Sequence, residues 1–378
     1  MMRADSRRVD SGEYELEMSC WTTVRVWVLL SLGLFIQLIS SRSEAVADVA
    51  AGKRIFETVC ATCHGPNGRP DPDSPIVQAF DPRPADLSDP LFNSREPALD
   101  WKLVVKHGGH ALGLSPQMPP QGGILSDDEI ESVVAYIKTL ADTSDYPPGE
   151  FNLMLPIRTK KAYPEDELVW SSRLTQRDGQ DLIRNVFEFE KRIGHRGQAI
   201  VELVQEDNGP ETELEEIELG YKHALAWSLE KRYLLSGAVT VAFVTDDGAS
   251  NEIIPYLAYA QPLSPRTTLQ ASGRAVLPVD DVEEGALELA GIVHYVWSEW
   301  PRRVFPALEL TATVPFESGP GDDVEFTVLP QVRIGLTHGG HVALNLGVEL
   351  PLSNQDYDYR AHLTLLWDFA DGSFFQGW

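Results

Sequence analysis

From Leu168 to the C-terminus, apolar and polar positions alternate with a period of two. In "VEFTVLPQVRIGL", Val324, Phe326, Val328, Val332, Ile334 and Leu336 fall on one face, with Glu325, Thr327, Gln331 and Arg333 on the other. "ALELAGIVHYVWSE", "HVALNLGVEL" and "YRAHLTLLWDF" repeat the pattern. Side chains alternate across a strand, so such runs predict strands with one apolar and one polar face. About twelve are readable, separated by short turns such as "GHRG", "DDGAS" and "THGG". No helical period interrupts them, so the sheet is expected to be antiparallel.

The region before residue 142 has a different period. "VADVAAGKRIFETVCATCH" carries Val49, Ile55, Phe56 and Val59 at helical spacing, and "EPALDWKLVVKHG" carries Leu99, Leu103 and Val104 before Gly108-Gly109. "SDDEIESVVAYIKTL" opens with the capping-box pair Ser126 and Glu129, then sets Ile130, Val133, Val134, Ile137 and Leu140 on one face. Residues 142–166 contain four prolines and little periodicity, and are expected to form a linker. The predicted organisation is a signal peptide over 1–45, a small all-α domain over 46–141, the linker over 142–166, and a large all-β antiparallel domain over 167–378.

Alternation alone leaves two architectures for the last domain. A soluble β-sandwich hides its apolar faces between two sheets. A transmembrane β-barrel turns them to lipid and its polar faces to the lumen. Runs of ten or more residues suit the ~9–11 needed to cross a bilayer at a tilt better than the ~5–6 usual in sandwiches. Trp227, Tyr233, Phe243, Tyr295, Trp297, Trp367 and Phe369 gather near the ends of the runs, as interfacial girdles do. The barrel of about twelve strands is the favoured expectation, with the sandwich as the alternative.

Export agrees with either. Residues 26–39, "VWVLLSLGLFIQLI", follow Arg25 and precede small residues, with cleavage expected after Ala45 or Ala47. The formal net charge of −26 speaks against nucleic acid as a partner.

The cysteines carry the chemistry. The chain has three, and Cys20 falls inside the leader. Cys60 and Cys63 stand in "CATCH", directly before His64. A structural zinc site wants a second ligand pair, which is missing. A redox dithiol needs a βαβ setting and has no use for the histidine. Cys-x-x-Cys-His fits covalent haem: two thioethers to the vinyl groups and an imidazole on the iron. Met118, in "LSPQMPPQGG", can be held rigidly by Pro119 and Pro120 as the second axial ligand. His107 and His110 are rival ligands.

With "CATCH", "MPP" and a final helix ending "VVAYIKTL", residues 48–141 resemble a class I, mono-haem c-type cytochrome. Gly52 and Phe56 of the first helix and Tyr136 of the last match the family's helix-crossing positions. The resemblance implies one covalently bound haem c on Cys60 and Cys63, iron held by His64 and Met118, electron transfer with a redox partner protein, and no bond-making catalysis. "YRAHLTLLWDF" is similar to the closing strand of outer-membrane barrels, although nine residues follow Phe369. These resemblances imply an exported protein whose haem domain faces the periplasm and whose barrel sits in outer-membrane lipid. The alternatives are a soluble cytochrome subunit with a β-sandwich binding module serving a redox enzyme, or a haem-based sensor.

Overall fold

The computed structural model describes residues 47–177, 180–207, 212–245, 249–298, 304–317, 324–353, 355–370 and 374. The expected signal peptide, Cys20 and Trp378 lie outside them.

The helical domain opens with α1 (Val49–Ile55), where the Asp48 carboxylate accepts from the amides of Ala50 and Ala51. A π-helical turn (Phe56–Cys60) and α2 (Ala61–His64) continue it through the cysteine motif. Two short helices, α3 (Pro75–Gln78) and α4 (Pro90–Arg95), each start on a proline, whose missing N–H is no loss there. α5 (Ala98–His107) stops at Gly108, and α6 (Asp127–Ile137) starts on the Ser126–Glu129 capping box. α1 crosses α6 at Gly52, where a Cβ would lie 1.9 Å from the Ser132 carbonyl oxygen. One turn on, Phe56 meets Tyr136 edge to face at 5.4 Å. Phe56, Trp101, Val105, Ile130, Val133, Val134 and Ile137 form the domain's core.

The strands are β1 (Glu167–Arg177), β2 (Gln180–Ile193), β3 (Gly197–Asp207), β4 (Thr212–Ser228), β5 (Tyr233–Val244) and β6 (Glu252–Ser264), then β7 (Thr267–Pro278), β8 (Ala286–Tyr295), β9 (Val304–Pro315), β10 (Glu325–Gly335), β11 (Val342–Pro351) and β12 (Tyr359–Asp368). Each pairs with its sequence neighbours, and β1 pairs with β12 from Glu167↔Asp368 to Gln176↔Tyr359. The sheet is a closed twelve-stranded antiparallel barrel, and the sandwich alternative falls with it. Closure leaves no sheet edge.

The two faces divide as the alternation predicts. Leu219, Tyr221, Val239, Leu257, Leu310 and Val348 are exposed on the outside, whereas Glu202, Glu218, Lys222, Glu309, Asn345 and Glu349 are buried within. Thr327 bonds Thr311 across the lumen face at 2.6 Å, while Val328 lies on the opposite face between Leu310 and Leu350. Aromatic side chains occur towards both ends: Phe189 stacks on Phe369 at one, and Phe243, Phe316 and Phe326 are exposed at the other. An apolar exterior, a charged interior and aromatic ends define a membrane-type barrel.

The stretch expected as a free linker behaves otherwise in its second half. Residues 152–166 dip into the lumen as a plug. Asn345 and Gln270 donate to the carbonyls of Leu155 and Met154 at 2.9 and 2.7 Å. Buried Glu309 accepts from the amides of Arg158 and Thr159. Lys160 reaches Glu202 at 3.0 Å, and Ser236 donates to the Ala162 carbonyl at 2.6 Å. Prolines and missing periodicity signal irregular backbone, not exposure. Here wall side chains satisfy that backbone, as any buried peptide requires.

The helical domain is clamped to the barrel end that carries Glu167 and Asp368. The Tyr163 hydroxyl donates to the Arg95 carbonyl at 3.2 Å, and the Arg95 guanidinium donates to the Ala370 carbonyl at 3.1 Å. Lys138 ties the carbonyls of Asn93 and Glu96 together at 2.7 and 2.6 Å.

Candidate functional site

The cysteine motif sits where α1 passes through its π-turn into α2. Cys60 and Cys63 are free, half-buried thiols. Burial, with Cys63 beside it, pushes the Cys60 thiol up to about 11, so it stays neutral. His64 follows as the last residue of α2. Its Nδ1 is 3.1 Å from the Ala85 carbonyl oxygen, which fixes the ring and leaves Nε2 available. Burial lowers its pKa against the opposing effect of that bond, which keeps the imidazole in the neutral form that a metal needs.

Met118 arrives from the other side, on the loop after α5. Its carbonyl accepts from the Gly109 amide at 3.0 Å, and Pro119 and Pro120 follow. Gly108, at φ +77°, is in a region that disfavours other residues, and a Cβ there would lie 2.9 Å from the Met118 carbonyl oxygen. The loop thus closes directly over the end of α5. Cys60, Ala85 and Met118 all pack against the domain core that holds Phe56, Trp101 and Val105. Of the rival histidines, His107 ends α5 half-buried and His110 is exposed in the following turn.

The donor set suits haem. There are two free thiols in one turn, an imidazole with its second nitrogen already bonded, and a thioether on a loop held by two glycines. The sequence pattern did not reveal the Ala85 carbonyl, because a backbone acceptor carries no residue signature.

A covalent-haem motif in a helical domain, fused to a membrane-type barrel, defines a two-domain haem protein. Comparison agrees for the first part: residues 49–141 match the family model for cytochrome c, so the N-terminal domain is a cytochrome c domain. No curated protein matches the sequence. Among solved structures, the chain is similar to the KdgM porin, with 10% identity, TM-score 0.40, and cover of 54% of this chain and 99% of that one. It is also similar to an outer membrane channel from Pseudomonas putida F1, with 12% identity, TM-score 0.43, and cover of 57% and 99%. For an outer membrane phospholipase of Salmonella typhi the values are 9%, 0.35, 56% and 93%. The barrel itself rests on its own strand pairing.

Proposed function

We propose that this protein is an electron carrier whose single c-type haem is held at the periplasmic mouth of an outer-membrane barrel. Cys60 and Cys63 hold the haem covalently and His64 and Met118 complete the iron's coordination. So held, it supplies one-electron oxidation and reduction, without bond-making catalysis. The observation that carries the reading is the polarity of α5. Its ten residues span ~15 Å. At its first turn Asp100 shares a small cavity with Arg333 and His341 of the barrel end, and at its last turn it meets the Met118 loop. The ligand end therefore points away from the barrel, towards a partner protein approaching from the periplasm. An even strand count brings both barrel termini to one side, and the cytochrome domain is attached there. The plug occupies the lumen, which favours an anchor over a sleeve for a second redox carrier.

The test is fractionation. Haem-stained protein should appear in the outer-membrane fraction, need detergent for release, and shift its electrophoretic mobility on heating. The haem stain should survive denaturation and vanish in the Cys60→Ala, Cys63→Ala double variant. Release without detergent would remove the membrane reading, and haem extracted freely by acid-acetone would remove the covalent one.

A further inference from the structure

Inside the barrel wall, strand register puts like charges side by side. Glu188 pairs with Glu202, and Glu202 with Glu218, across β2, β3 and β4. Like charges directly opposite destabilise a sheet unless something neutralises them. This acidic row has its cation. Lys160 of the plug lies 3.0 Å from Glu202 and also faces Glu188 and Glu218.

A basic row lies nearby, and the carboxylates around it are shared out among its other members before they reach Arg173. Arg173 on β1 is registered directly against Arg184 on β2 and His362 on β12. The plug brings a further cation here, Arg158, not an anion. The fully buried carboxylate of Glu349 is close, but it is shared. Arg360 donates to it at 2.9 Å, the Tyr357 hydroxyl at 2.9 Å, and Arg158 and the Nε2 of His362 each lie 3.5 Å away. Arg184 turns towards Glu215 and Glu216, at 3.6 and 3.5 Å. The Nε of Arg173 is buried without a hydrogen-bond partner among the described residues.

Arg173 and Arg360 open on a cavity of about 590 Å³ at the mouth opposite the cytochrome domain. Arg173, Arg177, Tyr357 and Arg360 line it, with Asp181 and Asp356 at its edge. Asp356 is taken by Arg177 at 2.7 Å, and the Arg360 guanidinium stacks 3.8 Å over the Tyr357 ring. Stacking holds a guanidinium plane still, and a fixed fork of N–H donors matches the two oxygens of a carboxylate or phosphate.

We propose that Arg173 and Arg360 form an oxyanion site in this vestibule, which takes a phosphate or carboxylate group entering by that mouth. The bound group would do for the basic row what Lys160 does for the acidic one. It would accept from the guanidinium groups of Arg173 and Arg360, which line the cavity.

The test uses the full-length holoprotein in zwitterionic detergent, titrated calorimetrically with inorganic phosphate and with succinate. Wild type should bind at least one of them saturably. Arg173→Gln should weaken binding roughly tenfold or more, the loss of one charge-assisted pair, while Arg173→Lys should keep part of it. Tighter binding of succinate would assign the site to carboxylates, and tighter binding of phosphate to phosphoryl ligands. The barrel's heat-induced mobility shift checks that each variant is folded. Absence of saturable binding to both probes, or an unchanged affinity in a folded Arg173→Gln barrel, would overturn the proposal.

Discussion

At the scale of residues, two glycines decide whether the Met118 loop can reach its place. Gly108 has φ +77° and ψ 167°, a region open almost only to glycine. Gly108→Ala should cost about 1–3 kcal/mol in backbone strain, and its Cβ would press on Pro120 N at 2.7 Å. The expected result is a cytochrome that keeps its covalent haem stain but loses the sulfur–iron charge-transfer band of the oxidised protein. If the band keeps its full strength, Gly108 does not hold the Met118 loop in place. The cysteines, His64 and Met118 could be singled out as candidates in the sequence because each is a rare residue type in a short motif. Ala85 and Gly109 were not, since what they contribute is a backbone oxygen and a backbone N–H.

At the scale of elements, the plug is the part the sequence disguised. Arg158, Lys160 and Lys161 read as ordinary linker charges until the wall opposite them is known. Lys160 pairs with Glu202 and faces Glu188 and Glu218, three glutamates drawn from three strands, and no local pattern records that. Lys160→Gln should lower the barrel's stability by about 1–3 kcal/mol, as expected when the cation of a part-buried pair is removed and its carboxylate is left unpaired. The midpoint of the heat-induced mobility shift measures it. Adding Glu202→Gln should recover part of the loss, because one stranded carboxylate is then gone. Additive losses in the double variant would mean that the two groups do not interact. The four runs quoted from the sequence, by contrast, coincide to within a few residues with β8, β10, β11 and β12: inside and outside repeat every second residue, and closure only required enough of them.

At the scale of the whole molecule, a filled lumen predicts a poor pore. In planar bilayers the intact protein should conduct weakly. A variant with residues 154–160 replaced by an equal length of Gly-Ser should conduct several times more. Equal conductance would show that ions already pass beside the plug. The sequence could not foretell this, because alternation tells which way side chains face and not what enters the space they enclose. Both ends of the plug, at Asn152 and Asp166, lie at the same mouth of the barrel. The segment is therefore a tongue and not a thread: it can be seated or withdrawn without parting a single strand pair. Formation of the wall and filling of its interior are then separable events in time. The ring can zip shut first, in whatever order its hairpins meet, and the tongue can follow as the cytochrome domain settles on the rim.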